Sequence, residues 1–81
     1  MTITYIIKVG DIYKIGKTTN LNNRMKDYKQ YHKEDIIIIL SYIGDIEQFL
    51  LDKVRSKKIE GEWFKLTSKD LVDIRHSLTK L

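Results

Sequence analysis

The stretch TITYIIKVGDIYKIGKTTN, residues 2–20, decides the fold. Residues 2–9 are β-branched and aromatic and predict a strand, Gly10-Asp11 supplies a two-residue turn, and IYKIG (12–16) returns as a second strand. Glycine in the first turn position points to a type II′ hairpin. A two-residue loop fixes the register, setting Val9 opposite Ile12, Ile7 opposite Lys14 and Tyr5 opposite Gly16. Opposed side chains share a face, so Tyr5 and Lys14 become diagonal neighbours, about 7–8 Å apart at the backbone. Gly16 leaves room above the Tyr5 ring. The stretch ends in Gly16-Lys17-Thr18, as a phosphate-cradling P-loop does. That loop needs four residues between its glycines. Here five intervene, and they read as a strand, which argues against nucleotide binding.

Composition narrows the classes. The chain has 81 residues, enough for one domain (1–81), with 42% apolar and 32% charged residues, the balance of a folded, water-soluble protein. It has no cysteine, hence neither disulfides nor a thiolate zinc site, and His32 and His76 are not at ligand spacing. The apolar run IIIIL (36–40) is too short to span a bilayer, and no charged-then-apolar leader opens the sequence. The expectation is an intracellular, cytoplasmic protein with no membrane partner. Residues 1–33 carry a net charge of +5 and the remainder −1, so the first segment is expected to meet an anion; the patch is a modest electrostatic footprint for nucleic acid, and on charge alone an ordinary solvated surface is the slightly favoured reading.

From Thr19 a helix is predicted, with Leu21, Met25 and Tyr28 on its buried stripe and Arg24 at the border, able to reach the hairpin. DIIIILSYI (35–43) reads as a strand covered on both faces. Asp45 with Gln48 forms a capping-box pattern for a second helix over residues 45–57, striped by Ile46, Phe49, Leu50 and Val54. EGEWFKL (60–66) predicts a turn and a short extended piece, and Thr67 with Asp70 caps a last helix burying Leu71, Ile74 and Leu78. The order is ββαβα, a short strand, then α. The expected architecture is an α/β fold with a small three-stranded, mainly antiparallel sheet flanked by helices.

Tyr5 and Lys14 on the hairpin, Gly16 closing its second strand, Arg24 eight residues later, Glu47 opening the second helix and the late GEWF motif (61–64) together resemble the GIY-YIG nuclease superfamily. The likeness is to its small clade common in phages, other viruses and bacteria, and it spans Tyr5 to about Leu66. It implies a metal-dependent DNA endonuclease with Tyr5 as base, Lys14 and Tyr28 tuning or positioning, Arg24 on the phosphate and Glu47 holding Mg²⁺ or Mn²⁺. Lys14 stands where most members have tyrosine, and Tyr28 where many have histidine. Lys17 and Thr18 are candidate phosphate contacts. DNA is the expected partner, with a homodimer or a host protein as further candidates. The alternative is a fold that has lost turnover and serves as a binding module, for example a viral inhibitor of a host nucleic-acid or defence enzyme.

The chemistry asks for the same residue types. Phosphodiester hydrolysis needs a base for water, a cation against the charge of the transition state, and a metal for the leaving oxygen. A nearby Lys14 ammonium is expected to lower the Tyr5 pKa, and the Arg24 fork suits two phosphate oxygens. Each residue also has a plain structural role open to it: Tyr5 in the core, Lys14 guarding a sheet edge, Arg24 on a helix surface, Glu47 complementing a helix dipole. Trp63 and Phe64 are most simply hydrophobic closure under the last helix.

Overall fold

A computed structural model describes all 81 residues. The hairpin forms as the sequence dictates: β1 (Ile3–Val9) and β2 (Ile12–Thr18) pair antiparallel, with Val9 opposite Ile12, Ile7 opposite Lys14 and Tyr5 opposite Gly16. Gly10 has φ +64° and Asp11 is not at positive φ, which agrees with a type II′ turn and excludes type I′. Helix α1 (Leu21–Tyr31) follows, its first turn capped by the Asn20 side chain, which accepts from the Asn23 amide. Next come β3 (Ile36–Ile43), α2 (Glu47–Lys53), a 3₁₀ turn (Arg55–Lys57), β4 (Lys58–Glu60), β5 (Trp63–Phe64) and α3 (Ser68–Leu78). The capping box predicted at Thr67 and Asp70 is present in both halves at the start of α3.

The sheet has five strands, in the order β3-β1-β2-β5-β4 and all antiparallel, rather than the three expected. The difference lies in residues 58–64. Read as a turn and one extended piece, they form a second hairpin whose β5 docks on β2, pairing Tyr13 with Phe64 and Lys14 with Trp63. β2 is therefore an interior strand, and Lys14 cannot be guarding an edge.

Alternation along the strands builds a core on each face. Ile6, Tyr13, Ile15 and Phe64 pack with Leu50, Val54 and Ile74 from the α2 and α3 side. Tyr5, Ile7 and Val9 pack with Met25 and Tyr28 of α1 on the other. β3 departs from expectation. It is an outer strand, and Ile37, Ile38 and Ile43 are 51%, 47% and 70% exposed, so it is not covered on both faces. A bulge opposite Ile6 and Ile7 shifts its register, and neither helical layer reaches fully over the sheet margin.

Helix α2 is also shorter than predicted, and its start is set differently. The cap position is Ile46, without a side-chain cap bond, and Gln48 bonds Asp52 instead of reaching back. What pins this corner is Thr4, fully buried, whose hydroxyl donates to the Gly44 carbonyl (2.7 Å) and accepts from the Ile46 amide (3.0 Å). Thr4→Val keeps the shape and leaves both backbone groups unpaired, at an expected cost of about 1–3 kcal/mol. Thermal unfolding checks this, with a melting temperature like the wild type's as the contrary result. No helix is long and apolar enough to cross a membrane.

Candidate functional site

The hairpin, α1 and β5 bring one constellation together on the α1 face of the sheet. The Tyr5 and Tyr28 hydroxyls lie 2.6 Å apart, their rings edge to face at 6.2 Å. Gly16 makes this approach feasible. A Cβ at position 16 would lie 2.5 Å from the Tyr5 hydroxyl oxygen and 2.7 Å from Cζ, so only glycine fits beneath the ring. The Lys14 ammonium sits 5.1 Å from the Tyr28 ring centroid and 5.5 Å from that of Trp63, and pairs with the Glu62 carboxylate at 3.0 Å. His32 completes the row, with ring centroids 6.3 Å from Tyr28 and 5.4 Å from Trp63.

The electrostatics differ from the sequence expectation in one respect. Burial raises the Tyr5 pKa far above the ordinary phenol value, and the Tyr28 hydrogen bond adds to it; the opposing cation is Arg24, not Lys14. The resting Tyr5 is thus a firmly protonated phenol. For Lys14, burial works downward, but the Glu62 hydrogen bond and Tyr28 outweigh it, and the net shift is upward. Lys14 is a fixed cation whose charge Glu62 largely answers. Arg24 is exposed and in no ion pair, including the one with Asp27 that its helix spacing allows.

A second group gathers at the start of α2. Lys17 binds Asp45 at 2.9 Å, and this hydrogen bond raises the lysine pKa and lowers that of the aspartate. Glu47, half-buried in the first helical turn, lies within the field of Lys17, and its carboxylate has no hydrogen-bond or ion-pair partner. Thr18 is spent locally, its hydroxyl accepting from the Asn20 amide at the entry to α1. No three His, Cys, Asp or Glu side chains converge anywhere in the chain. One free carboxylate fits a hard divalent ion of the Mg²⁺ type, which keeps several waters and takes substrate oxygens.

The structure thus joins Tyr5, Lys14 and Tyr28 directly, places Arg24 in their field, and sets Glu47 beside Lys17 in the second group. Sequence reasoning missed Trp63, Glu62 and His32. The signal was available for Trp63: adjacent residues in a strand point to opposite faces, so Trp63 and Phe64 cannot both close the same core. Phe64 enters the α2–α3 core and Trp63 the site face.

A family model described as the T5orf172 domain matches the chain over residues 2–79. No curated protein and no solved structure matches the chain.

Proposed function

The chain belongs to the T5orf172 domain family, a nuclease-like family related to GIY-YIG, and from that premise we propose that it is a metal-dependent DNA endonuclease. The observation that carries this reading is the Tyr5–Tyr28 hydroxyl pair, 2.6 Å apart, with one cation fixed beside it and an unpaired arginine in its field. Arg24 has no carboxylate to satisfy it, so its donor fork is free for two phosphate oxygens. Tyr5 accepts the proton of the attacking water as phenolate, a form reached when its own proton passes to the Tyr28 oxygen while the Tyr28 hydroxyl proton passes to solvent, and Lys14 holds the Tyr28 ring in place. Glu47 would hold Mg²⁺ or Mn²⁺, which when bound supplies charge neutralisation at the leaving oxygen. Lys17 uses one of its three donors on Asp45 and retains the others for backbone phosphate, beside Thr18. An interface of about 1,000 Å², typical of specific DNA recognition, would take nearly a fifth of the 5534 Å² surface, so the chain alone is expected to cleave with weak sequence preference.

The burial of Tyr5, 1% exposed, favours a second reading, a binding module that has lost turnover, for example a viral inhibitor of a host nucleic-acid or defence enzyme. Plasmid nicking by purified protein separates the two. Activity that requires Mg²⁺ or Mn²⁺ and falls about 100-fold or more in both Arg24→Ala and Glu47→Ala supports the nuclease. No cleavage of supercoiled, linear or single-stranded DNA by any form supports the module.

A further inference from the structure

Helix α1 has two flanks, and the site uses one of them. At about 100° per residue, Arg24 falls on the side of Tyr28 nearer the site, while Lys29 lies about 140° away, in line with Asn22 and Lys26. This second flank runs beside the outer strand β3 and forms an open groove of 380 Å³ lined by Asn22, Met25, Lys26, Lys29, Ile36 and Ile38. Past the helix end it continues into a second hollow that Lys29 shares with Lys33. Lys26, Lys29 and Lys33 are all exposed, and none is in an ion pair, although five of the chain's other cations are. The only acids lining either hollow are Glu34 and Asp35, at the far end.

We infer that this groove is a docking track for the phosphate backbone of duplex DNA, on the flank of α1 away from Tyr5 and meeting the site row at His32. Three unpaired ammonium groups along one line are complementary to a polyanion, and they carry much of the positive excess of residues 1–33. Lys26 and Lys29 lie about one helical turn apart, a rise of about 4.5 Å, and Lys33 extends the row past the helix end. Duplex is chosen over single strand because the helix-flank groove has no aromatic lining and His32 is the one aromatic side chain in the second hollow, whereas single-strand tracks rely on successive stacking platforms. Apolar Ile36 and Ile38 form the groove's other wall against sugar and backbone. The choice of DNA as the polyanion rests on the nuclease reading; the track itself rests on the groove and its charges.

The test is binding of a short fluorescein-labelled duplex by anisotropy, with EDTA present so that no cleavage occurs, across a series of salt concentrations. The Lys26→Gln/Lys29→Gln/Lys33→Gln triple variant should bind about tenfold or more weakly near physiological salt, and its log K against log salt slope should flatten by about 2–3. A charge-matched control, Lys53→Gln/Lys69→Gln/Lys80→Gln, alters exposed lysines on the opposite layer and should keep the wild-type slope. Equal losses in the two triples would reduce the effect to net charge and overturn the track, as would a wild type that does not bind duplex or that binds an acidic protein ligand in its place. The outcomes are independent of turnover. A protein that nicks DNA while the groove triple binds normally loses the track and keeps the nuclease; one that binds through the groove without nicking does the reverse.

Discussion

Gly16→Ala should lower the melting temperature by roughly 10–20 °C, the equivalent of about 2–3 kcal/mol in a domain of this size. Ordinarily an alanine for a strand glycine would help, by about 0.4–1 kcal/mol through the unfolded chain. Here the sign is reversed by three carbon and oxygen atoms of one ring. The new Cβ would meet the Tyr5 hydroxyl oxygen at 2.5 Å, Cζ at 2.7 Å and Cε1 at 3.3 Å. Relief is blocked in every direction. The ring is 1% exposed and tied to Tyr28, while β1 and β2 are each held by a further strand, β3 and β5. If the clash is with this ring, shortening the ring must remove it. In a Tyr5→Leu background, itself destabilised, Gly16→Ala should be neutral or mildly stabilising, giving a large coupling between the two positions. A Gly16→Ala protein as stable as the wild type, or a double variant with additive losses, would mean that the glycine is not there for the tyrosine.

That coupling is also where the sequence was most legible. A two-residue turn leaves no freedom in the register, so the Tyr5–Gly16 and Ile7–Lys14 pairings follow from the position of Gly10-Asp11 alone. The Thr67–Asp70 capping box was equally readable, since both partners lie within one turn. Legibility failed where a residue's fate depends on a distant segment. Nothing local to Lys14 says that β5 will pair beside it and that Glu62 will take its ammonium. Nothing local to DIIIILSYI says that it lies at the sheet margin, because a continuous apolar run is also what a doubly covered strand shows. The start of α2 was misread for a related reason. Asp45 and Gln48 have the spacing of a capping box, but Asp45 accepts from the Glu47 amide and Gln48 bonds Asp52, while Thr4, over forty residues earlier, satisfies the Ile46 amide. The raised Tyr5 pKa belongs to the same class: the sequence placed a cation nearby, and tertiary packing decided that burial and Tyr28 outweigh it.

The protonated state of Tyr5 makes a sharp demand on the rate. If Tyr5 is the base, only its phenolate works, and with a pKa held far above the phenol value that fraction grows tenfold with each pH unit. Nicking at saturating metal should therefore rise about 100-fold from pH 7 to pH 9, with no plateau in that range. Tyr5→Phe should lose both the rate and the slope. A Tyr5→Phe protein that keeps the slope would place the titrating proton on another group, and Tyr5 would be left with a packing role. Stability supplies the independent check, because it needs no substrate. A folded-state pKa raised above the unfolded value near 10 contributes stability that is complete below about pH 10 and is lost as pH climbs toward the folded value. The loss approaches about 1.4 kcal/mol per pH unit above pH 10, one proton's worth. Wild-type protein should therefore show a falling melting temperature between pH 10 and 11 that is shallower in Tyr5→Phe by that single proton. Because Tyr5→Phe also leaves the Tyr28 hydroxyl without its partner, the comparison is of slopes with pH and not of absolute melting temperatures. Parallel slopes in the two proteins would mean that the Tyr5 proton is not held by the fold, and a rate that depends on its phenolate would then level off at about pH 10 instead of climbing beyond it.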